Sequence, residues 1–398
     1  MDKKPEKLVP EVRFKGFTDD WEQHKLGDFG NVQMNKRIFK SQTLDSGDVP
    51  FYKIGTFGKK ADAYISSELY EEYRNKYPYP KDGDLLISAS GSIGKIVEYK
   101  GQRAYYQDSN IVWLDHDNRI LNLFLKAFFQ IVKWSGTEGS TIKRLYNKNI
   151  LNTEIILPRI KEQTAIGKLI EKFDYLITLQ QRKLEQLKQL KKAMLQQLFV
   201  DKNSKQPNLR FKNFNGDWKQ RKGKSIFYSK SNKDFPELTV LSATQDKGMV
   251  PRSSTGIGIK YEKKSLRGYK KVEPGDFIVH LRSFQGGFAY SDLTGIVSPA
   301  YTVFTFKQPE MFNNYFWKEK FTSYNFIQLL KKVTYGVRDG RSISYSDFLT
   351  LNEKFPVEVE QTKIADLFKK INNLIAFQQN KLTQLTTLKK YLLQKLFI

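Results

Sequence analysis

The sequence predicts an α+β protein with two mixed α/β domains in tandem, each followed by a long helix. Three observations lead to this prediction: an internal repeat over the whole chain, strand-like middles, and two helical segments with regular apolar spacing. The chain has 398 residues, which is enough for two or three domains that each bury a core.

The repeat is clearest at the two ends of each copy. Residues 10–23 recur as residues 207–220, an offset of 197, and both stretches carry an Arg-Phe pair followed by a Trp. The Glu-Gln-Thr sequence at 162–164 recurs at 360–362, an offset of 198. Chance is a poor explanation for such spacing, so the chain is interpreted as two tandem copies of one unit.

Between these ends the copies diverge, and only a skeleton of turns and strands is shared. A Gly-Asp pair precedes an apolar run at Gly83 and again at Gly275, which is typical of a turn that leads into a strand. Segments 121–134 and 315–332 have the apolar spacing of helices. Each middle is therefore predicted to be a mixed α/β domain.

Each copy ends in a predicted long helix that follows a proline, Pro158 or Pro356. A helix of about 55 Å, at about 1.5 Å per residue, cannot bury an apolar seam alone. We therefore predict that the two helices pair as an antiparallel coiled coil with pseudo-two-fold symmetry, the alternative being that each helix lies on its own domain. The predicted seam positions are Ile166, Leu169, Phe173, Leu176, Gln180, Leu187, Leu190, Met194, Ile364, Leu367, Ile371, Leu374, Gln378, Leu385, Leu388 and Leu392.

The composition points to a polyanionic partner. Lys and Arg number 67 against 42 Asp and Glu, so the formal net charge is +25. Nucleic acid is the first expectation and an acidic membrane surface the second. The absence of Cys excludes disulfides, Cys-ligated metal sites and thiol catalysis. No signal peptide or membrane span is predicted, so we expect a soluble, cytoplasmic protein.

Motifs for catalysis are missing from the sequence. The three histidines do not have the spacing of metal ligands, and Trp218 occupies the position where a phosphate-binding loop needs its first glycine. The Asn/Asp-Pro-Pro-aromatic motif of amino-methyltransferases is also absent. We therefore expect a non-catalytic chain without a cofactor or metal of its own.

Basic, small polar and aromatic residues are interleaved in the divergent middles. Lys and Arg can neutralise phosphates, whereas Ser, Asn and Gln can hold phosphate oxygens or base edges. A solvated surface position is the simpler explanation for any single residue, so the prediction rests on the whole set and on the net charge. The DNA-binding candidates are Ser90, Ser92, Lys95, Arg103, Gln107, Asn110, Lys143, Arg144, Lys148, Arg267, Lys270, Arg282, Ser283, Gln285, Arg338 and Arg341. The helix lysines Lys191, Lys192, Lys389 and Lys390 are instead expected on an exposed coiled-coil face.

The doubled Arg-Phe…Trp and Glu-Gln motifs around variable middles resemble the specificity subunit of bacterial type I restriction–modification enzymes. The resemblance covers essentially the whole chain, except that residues 25–28 have no good counterpart at 222–225. It implies two target recognition domains that each read one half of a bipartite DNA sequence, and two spacer helices that set the gap between the halves. The domains would be residues 1–158 and 201–356, and the helices residues 159–200 and 357–398.

The resemblance also implies partners. These are double-stranded DNA, two DNA adenine-methyltransferase (modification) subunits that carry S-adenosylmethionine, and two restriction subunits that use ATP and Mg²⁺. This chain would choose the site and hold the other subunits without binding a cofactor itself. Two other functions stay open: a free-standing DNA-modifying enzyme with an unfamiliar motif, and a basic coiled-coil adaptor.

Overall fold

The computed structural model describes residues 8–134, 144–201, 203–244, 247–256, 263–280, 283–335 and 342–398. The chain folds into two compact units. The first consists of Met1–Gln181 with Lys381–Ile398, and the second of Arg182–Asn380. Each unit therefore combines one sheet domain with parts of both long helices, because the division falls inside each of the two helices.

The helices are α1 (Ser67–Lys76), α2 (Asn122–Phe128), α3 (Asn147–Leu151), α4 (Ile160–Gln197), α5 (Gly223–Ile226), α6 (Ser283–Gly286), α7 (Asn314–Thr322), α8 (Tyr324–Leu330), α9 (Tyr345–Phe348) and α10 (Glu358–Lys395). The strands of the first unit are β1 (Glu22–Lys25), β2 (Gly30–Met34), β3 (Val49–Tyr52), β4 (Ala63–Ile65), β5 (Leu85–Ser88), β6 (Ile96–Glu98), β7 (Tyr105–Tyr106), β8 (Ile111–His116) and β9 (Glu154–Leu157). Those of the second unit are β10 (Lys219–Lys222), β11 (Phe227–Lys230), β12 (Leu241–Thr244), β13 (Gly248–Pro251), β14 (Lys270–Val272), β15 (Phe277–Val279), β16 (Ala289–Tyr290), β17 (Gly295–Val297), β18 (Thr302–Phe306), β19 (Thr334–Tyr335), β20 (Ser342–Ile343) and β21 (Asn352–Phe355).

The two sheet domains share one central topology. The first unit has a four-stranded antiparallel sheet in the order β2-β8-β5-β6, and the second has the equivalent order β11-β18-β15-β16. A short antiparallel pair, β1 with β9 or β10 with β21, closes each domain next to a long helix. The predicted α+β architecture of two mixed domains with long helices is confirmed.

The shared Gly-Asp pair forms the turn before the central strand. Gly83 and Gly275 have φ of +92° and +96°, a conformation that side chains disfavour. Asp84 accepts a hydrogen bond from the Lys81 backbone N–H at 2.7 Å, and Asp276 accepts one from the Glu273 N–H at 2.9 Å. Burial raises the pKa of both aspartates. Each side chain stabilises its turn by accepting a hydrogen bond from the backbone.

The repeated Arg and Glu of the sequence motifs are contact partners. In the first unit, Glu162 at the start of α4 is 2% exposed and accepts bonds from Arg13 Nε at 2.7 Å and Nη2 at 2.8 Å. In the second unit, Glu360 at the start of α10 accepts bonds from Arg210 Nε and Nη2, both at 2.8 Å. We call this bidentate pair the clasp, because it ties the chain before each sheet domain to the helix after it.

The glutamine of each Glu-Gln motif forms hydrogen bonds that fix the start of the same long helix. Gln163 Nε2 donates to the Pro158 carbonyl at 2.9 Å, and its Oε1 accepts from the Leu121 N–H at 2.9 Å. Gln361 repeats this with Pro356 at 3.0 Å and the Asn313 N–H at 3.0 Å. Both glutamines are almost fully buried, so the Glu-Gln motif holds the fold together.

Within each unit, segments of the two long helices run antiparallel. In the first unit, Lys389 of α10 bonds Asp174 of α4, and Phe397, just after the end of α10, shares a core with Ile166, earlier on α4. In the second unit, Lys191 and Asn372 meet at Glu319, and the Phe199 and Phe368 ring centroids are 5.9 Å apart. The start of each helix also packs on its own sheet domain. Each helix therefore contacts both a sheet domain and a segment of the other long helix.

The structure departs from the predicted seam at three positions. Leu190, Leu374 and Leu388 are 44–50% exposed, whereas the other predicted seam residues are buried or half-buried. A straight helix drifts from a strict heptad, and its start must also face the sheet domain, so the buried stripe shifts along its length. Large apolar residues outside the predicted seam are buried as well, among them Ile170, Leu184, Phe368 and Leu393.

A buried ion pair distinguishes the second unit from the first. Lys320 on α7 bonds Glu353 on β21, and these residues are 9% and 1% exposed. Burial lowers the pKa of Lys320, whose Nζ also lies 4.4 Å from the Trp317 ring centroid. Leu121 and Asn313 bond the equivalent Gln163 and Gln361, and β9 and β21 pair in the same register, so the equivalent positions in the first unit are the apolar Phe128 and Ile155.

Replacing Lys320 with Met should destabilise the second unit by about 3–5 kcal/mol, because Glu353 would be left buried without its cation. Changing both residues, Lys320→Met with Glu353→Leu, should restore stability or raise it by about 1–4 kcal/mol. Urea unfolding of the full chain, followed by tryptophan fluorescence, measures both. A double variant as unstable as the single one would contradict this interpretation.

Candidate nucleic-acid interface

The loop between β5 and β6, residues 89–95, is a compact glycine turn. Gly91 and Gly94 have φ of +65° and +78°. A Cβ on Gly94 would lie 2.5 Å from the Trp134 Nε1 atom, so this position requires glycine. The loop therefore has a defined shape, set by backbone sterics and by the indole beside it.

Three predicted candidates come together at this loop. Ser90 Oγ donates to Asn110 Oδ1 at 2.7 Å, and the Ser90 backbone forms a bridge with Arg144. Arg144 Nη2 donates to Ser109 Oγ at 2.9 Å, and Ser109 has a left-handed φ of +50°. Residues from three separate segments thus form one polar cluster, which we call the loop cluster (Ser90, Ser109, Asn110, Arg144).

Other candidates of the first unit border the same loop. Gln107 Oε1 accepts from the Ile54 N–H at 2.9 Å, and Lys95 Nζ donates to the Phe57 carbonyl at 2.5 Å. Both side chains therefore fix the neighbouring 53–57 turn. Ser92 is exposed at the loop tip.

Arg103 and Lys148 do not join the loop cluster. The Arg103 guanidinium lies 5.2 Å from the Tyr70 ring centroid and 3.1 Å from a Glu71 carboxylate oxygen, so it packs against α1. Lys148 is exposed on the short helix α3. The aromatic residues that follow Arg103 in the sequence, Tyr105 and Tyr106, are buried in two separate hydrophobic clusters.

Two candidates of the second unit have structural roles. Ser283 is 0% exposed, and its Oγ accepts from the His280 N–H at 2.9 Å at the start of α6. Lys270 Nζ donates to the Tyr301 carbonyl at 2.7 Å, and burial lowers the pKa of this lysine. Arg267 and Gln285 are exposed. Lys143, Arg282, Arg338 and Arg341 lie outside the described residues.

The second unit contains a basic cavity of about 420 Å³ that was not predicted from the sequence. Its lining includes Lys191, Lys247 and Lys318, together with the buried Glu319. Lys191 was expected on an exposed helix face, but its Nζ lies 2.9 Å from Glu319 Oε2. The lining residues come from separate segments of the chain, so no local sequence motif marks the cavity.

Some chemistry is absent from the part of the chain that the structure describes. There, no group of three or more His, Cys, Asp or Glu side chains is placed to hold a metal ion. Among the same residues, every helix is too short or too polar to cross a membrane.

Comparison with known proteins finds one family. Residues 18–189 match the family model for the type I restriction modification DNA specificity domain. The chain is 57% identical over 153 residues to a Haemophilus influenzae protein named as a type I restriction enzyme specificity subunit, which covers 38% of this chain and 40% of that protein. It is 26% identical over 407 residues to the type I restriction enzyme MjaVIII specificity subunit of Methanocaldococcus jannaschii, covering 95% and 92% of the two chains.

Solved structures agree on the fold. The crystal structure of a type I restriction–modification system S subunit from M. genitalium matches with a TM-score of 0.62 at 14% identity, covering 98% of this chain and 99% of that one. A chain from a structural study of complex assembly in a type I restriction–modification system matches with a TM-score of 0.52 at 14% identity, covering 99% of each chain.

The substitution Arg144→Gln should loosen the loop cluster, because Ser109 loses its charged donor. A loss of about 1 kcal/mol would raise amide exchange roughly fivefold at Leu145, whose N–H donates to the Ala89 carbonyl, and at Ala89, whose N–H donates to the Asn110 carbonyl. Hydrogen–deuterium exchange of the full chain measures this.

The control is Arg119→Gln in the same unit, since Arg119 pairs with Asp117 at 2.7 Å. Equal exchange of the 89–95 loop in both variants would argue against an ordering role for Arg144.

Proposed function

We propose that the chain is a specificity subunit of the type I restriction–modification family, which it resembles, and that it recognises a bipartite DNA sequence and docks the other subunits. Each unit would read one half of the sequence. We further propose that catalysis resides in partner chains, two methyltransferase subunits with S-adenosylmethionine and two restriction subunits with ATP and Mg²⁺. The chain itself would supply sequence choice and a scaffold.

The main support for this proposal is that the two units share one framework but present different surface loops. Both units have the same order of central strands, the same Gly-Asp turn and the same clasp. At the loop after the central strand they differ: the first unit presents Ser92 on a glycine turn, and the second has the short helix α6 with exposed Gln285. A constant frame with variable loops suits two modules that read different base sequences.

The net charge of +25 supports a DNA ligand. Neutralising phosphates releases counterions, so binding should weaken steeply with added salt. The basic surplus supplies affinity for any duplex, whereas exposed groups such as Ser92 and Gln285 can contact base edges in the major groove.

Exposed apolar side chains on the long helices support docking of partner subunits. In the first unit, Tyr175 is 66% exposed and Tyr391 is 49% exposed. In the second unit, Phe377 is 62% exposed, near Leu374 at 50%. Large apolar groups on a solvent-facing helix are typical of surfaces that bind another protein.

The decisive experiment is selection of bound duplexes from a random library by the full chain assembled with its methyltransferase subunit. We expect one split sequence to bind about 10³-fold or more tighter than random duplex. Equal affinity for all duplexes would overturn the proposal.

The two half-sites should respond separately to substitutions. Ser92→Ala should relax base preference in one half only, and Gln285→Ala in the other half only. Loss of one base contact typically costs about 1–3 kcal/mol. Selected sequences from each variant, compared with the wild type, reveal which half has changed. A change in both halves from either single substitution would refute the assignment of one unit to each half.

Helix length should set the gap between the half-sites. Four residues inserted after Gln181 and four after Asn380, at the unit boundaries, add about 6 Å to each helix. The preferred gap should lengthen by about two base pairs, at about 3.4 Å per base pair, with both half-sites unchanged. The same insertion in the exposed loop after Pro299 is the control. An unchanged gap in the helix variant would exclude this role for the helices.

A further inference from the structure

The basic cavity of the second unit lies where the sheet domain meets the helix segments of that unit. Its lining comes from the β12–β13 turn, from the end of β15, from β16 and α7, and from segments of α4 and α10. The basic and polar side chains of its lining include Lys191, Lys247, His280, Tyr290, Lys318 and Asn372. The cavity of about 420 Å³ adjoins α6, on the loop that carries the candidate Gln285.

One lysine of the cavity is already neutralised. Glu319 is 2% exposed; its Oε2 lies 2.9 Å from Lys191 Nζ, and its Oε1 accepts from Asn372 Nδ2 at 2.7 Å. These contacts join α4, α7 and α10 within the unit. Glu319 is therefore a positioning residue that holds the wall of the cavity in place.

Two lysines remain in excess over the carboxylates of the lining. Lys247 is exposed, and its backbone N–H donates to Thr244 Oγ1 at 3.1 Å. Lys318 Nζ lies 4.7 Å from both the Tyr290 and Tyr315 ring centroids. Its nearest carboxylate, Asp292 at 3.3 Å, is 66% exposed, so that ion pair is weak.

The first unit has different side chains or different contacts at the positions equivalent to Lys318, Glu319 and Tyr315. Lys126, the counterpart of Lys318, is paired with Glu98 at 2.5 Å, and both side chains are about one-third exposed. Ala127 stands where the second unit has Glu319, and Leu123 stands where it has Tyr315. The surroundings of Lys318 are thus not repeated in the first unit.

We propose that this cavity binds a phosphate group of the DNA backbone beside the second half-site, with Lys318 and Lys247 as the cationic contacts. The inference rests on the proposed function. The ammonium groups of Lys318 and Lys247 match a phosphate better than a base edge, because they offer charge and rotatable N–H donors without a planar bidentate pattern. The contact adds affinity and register, and it carries no sequence information.

The test combines protein variants with a modified DNA backbone. The full chain is bound to its selected duplex, and single phosphates are replaced in turn by neutral methylphosphonates. Wild-type protein should lose affinity at one phosphate beside the second half-site. With Lys318→Gln the same replacement should have no further effect, and the slope of log K against log salt should become shallower by about 0.9. Base preference should stay unchanged.

Two further variants make the result specific. Lys318→Arg keeps the charge and should retain the wild-type slope, which separates the contact from a folding defect. Lys126→Gln is the matched change in the first unit and should leave the methylphosphonate profile of the second half-site intact. Identical slopes for Lys318→Gln and wild type, or an altered base preference, would overturn the inference. If the wild-type protein selects no sequence at all, the proposed function fails instead.

Discussion

The buried carboxylate at the start of each long helix is the interaction on which the rest of each unit depends. Glu162 and Glu360 are 2% and 1% exposed, and an ionised carboxylate at such depth is tolerable only with a fixed cation. Arg13 and Arg210 supply that cation in bidentate geometry, from chain segments that lie 149 and 150 residues away. A pair that closes so long a loop fixes the helix start relative to the sheet domain, and hence the place of every loop that the domain presents.

Outside the clasp, the framework tolerates changes in polarity. Lys320 and Glu353 form a buried ion pair where the first unit has Phe128 and Ile155. Such an exchange is possible because the surrounding strands and helices keep the same order, and because each solution leaves no lone buried charge. At such a buried position the fold requires only that the two side chains match, either as two apolar groups or as an ion pair. The units therefore remain free to differ in surface charge and loop shape.

The sequence alone predicted the elements better than their contacts. Repetition and apolar spacing placed the long helices to within a residue at their starts, Ile160 and Glu358, because periodicity is a local property of the chain. The repeated Arg and Glu were recognised as motifs, but their mutual contact could not be inferred, since spacing along the chain says nothing of which distant groups meet. Ser283 was chosen by residue type and is fully buried, because polar type does not specify the direction of a side chain.

The basic cavity could not be predicted from the sequence, because the charge that surrounds a lysine depends on which distant residues lie beside it. A lysine contributes to binding an anion only to the extent that no protein carboxylate already neutralises it. Lys126 and Lys318 occupy equivalent positions, yet Lys126 pairs closely with the half-buried Glu98, whereas Lys318 lies beside two tyrosine rings and its carboxylate partner, Asp292, is 66% exposed. Net charge, a property of the sequence, predicts attraction to DNA. The positive charge available to hold a phosphate at one place is a property of the fold, because it depends on which side chains the fold places beside each lysine.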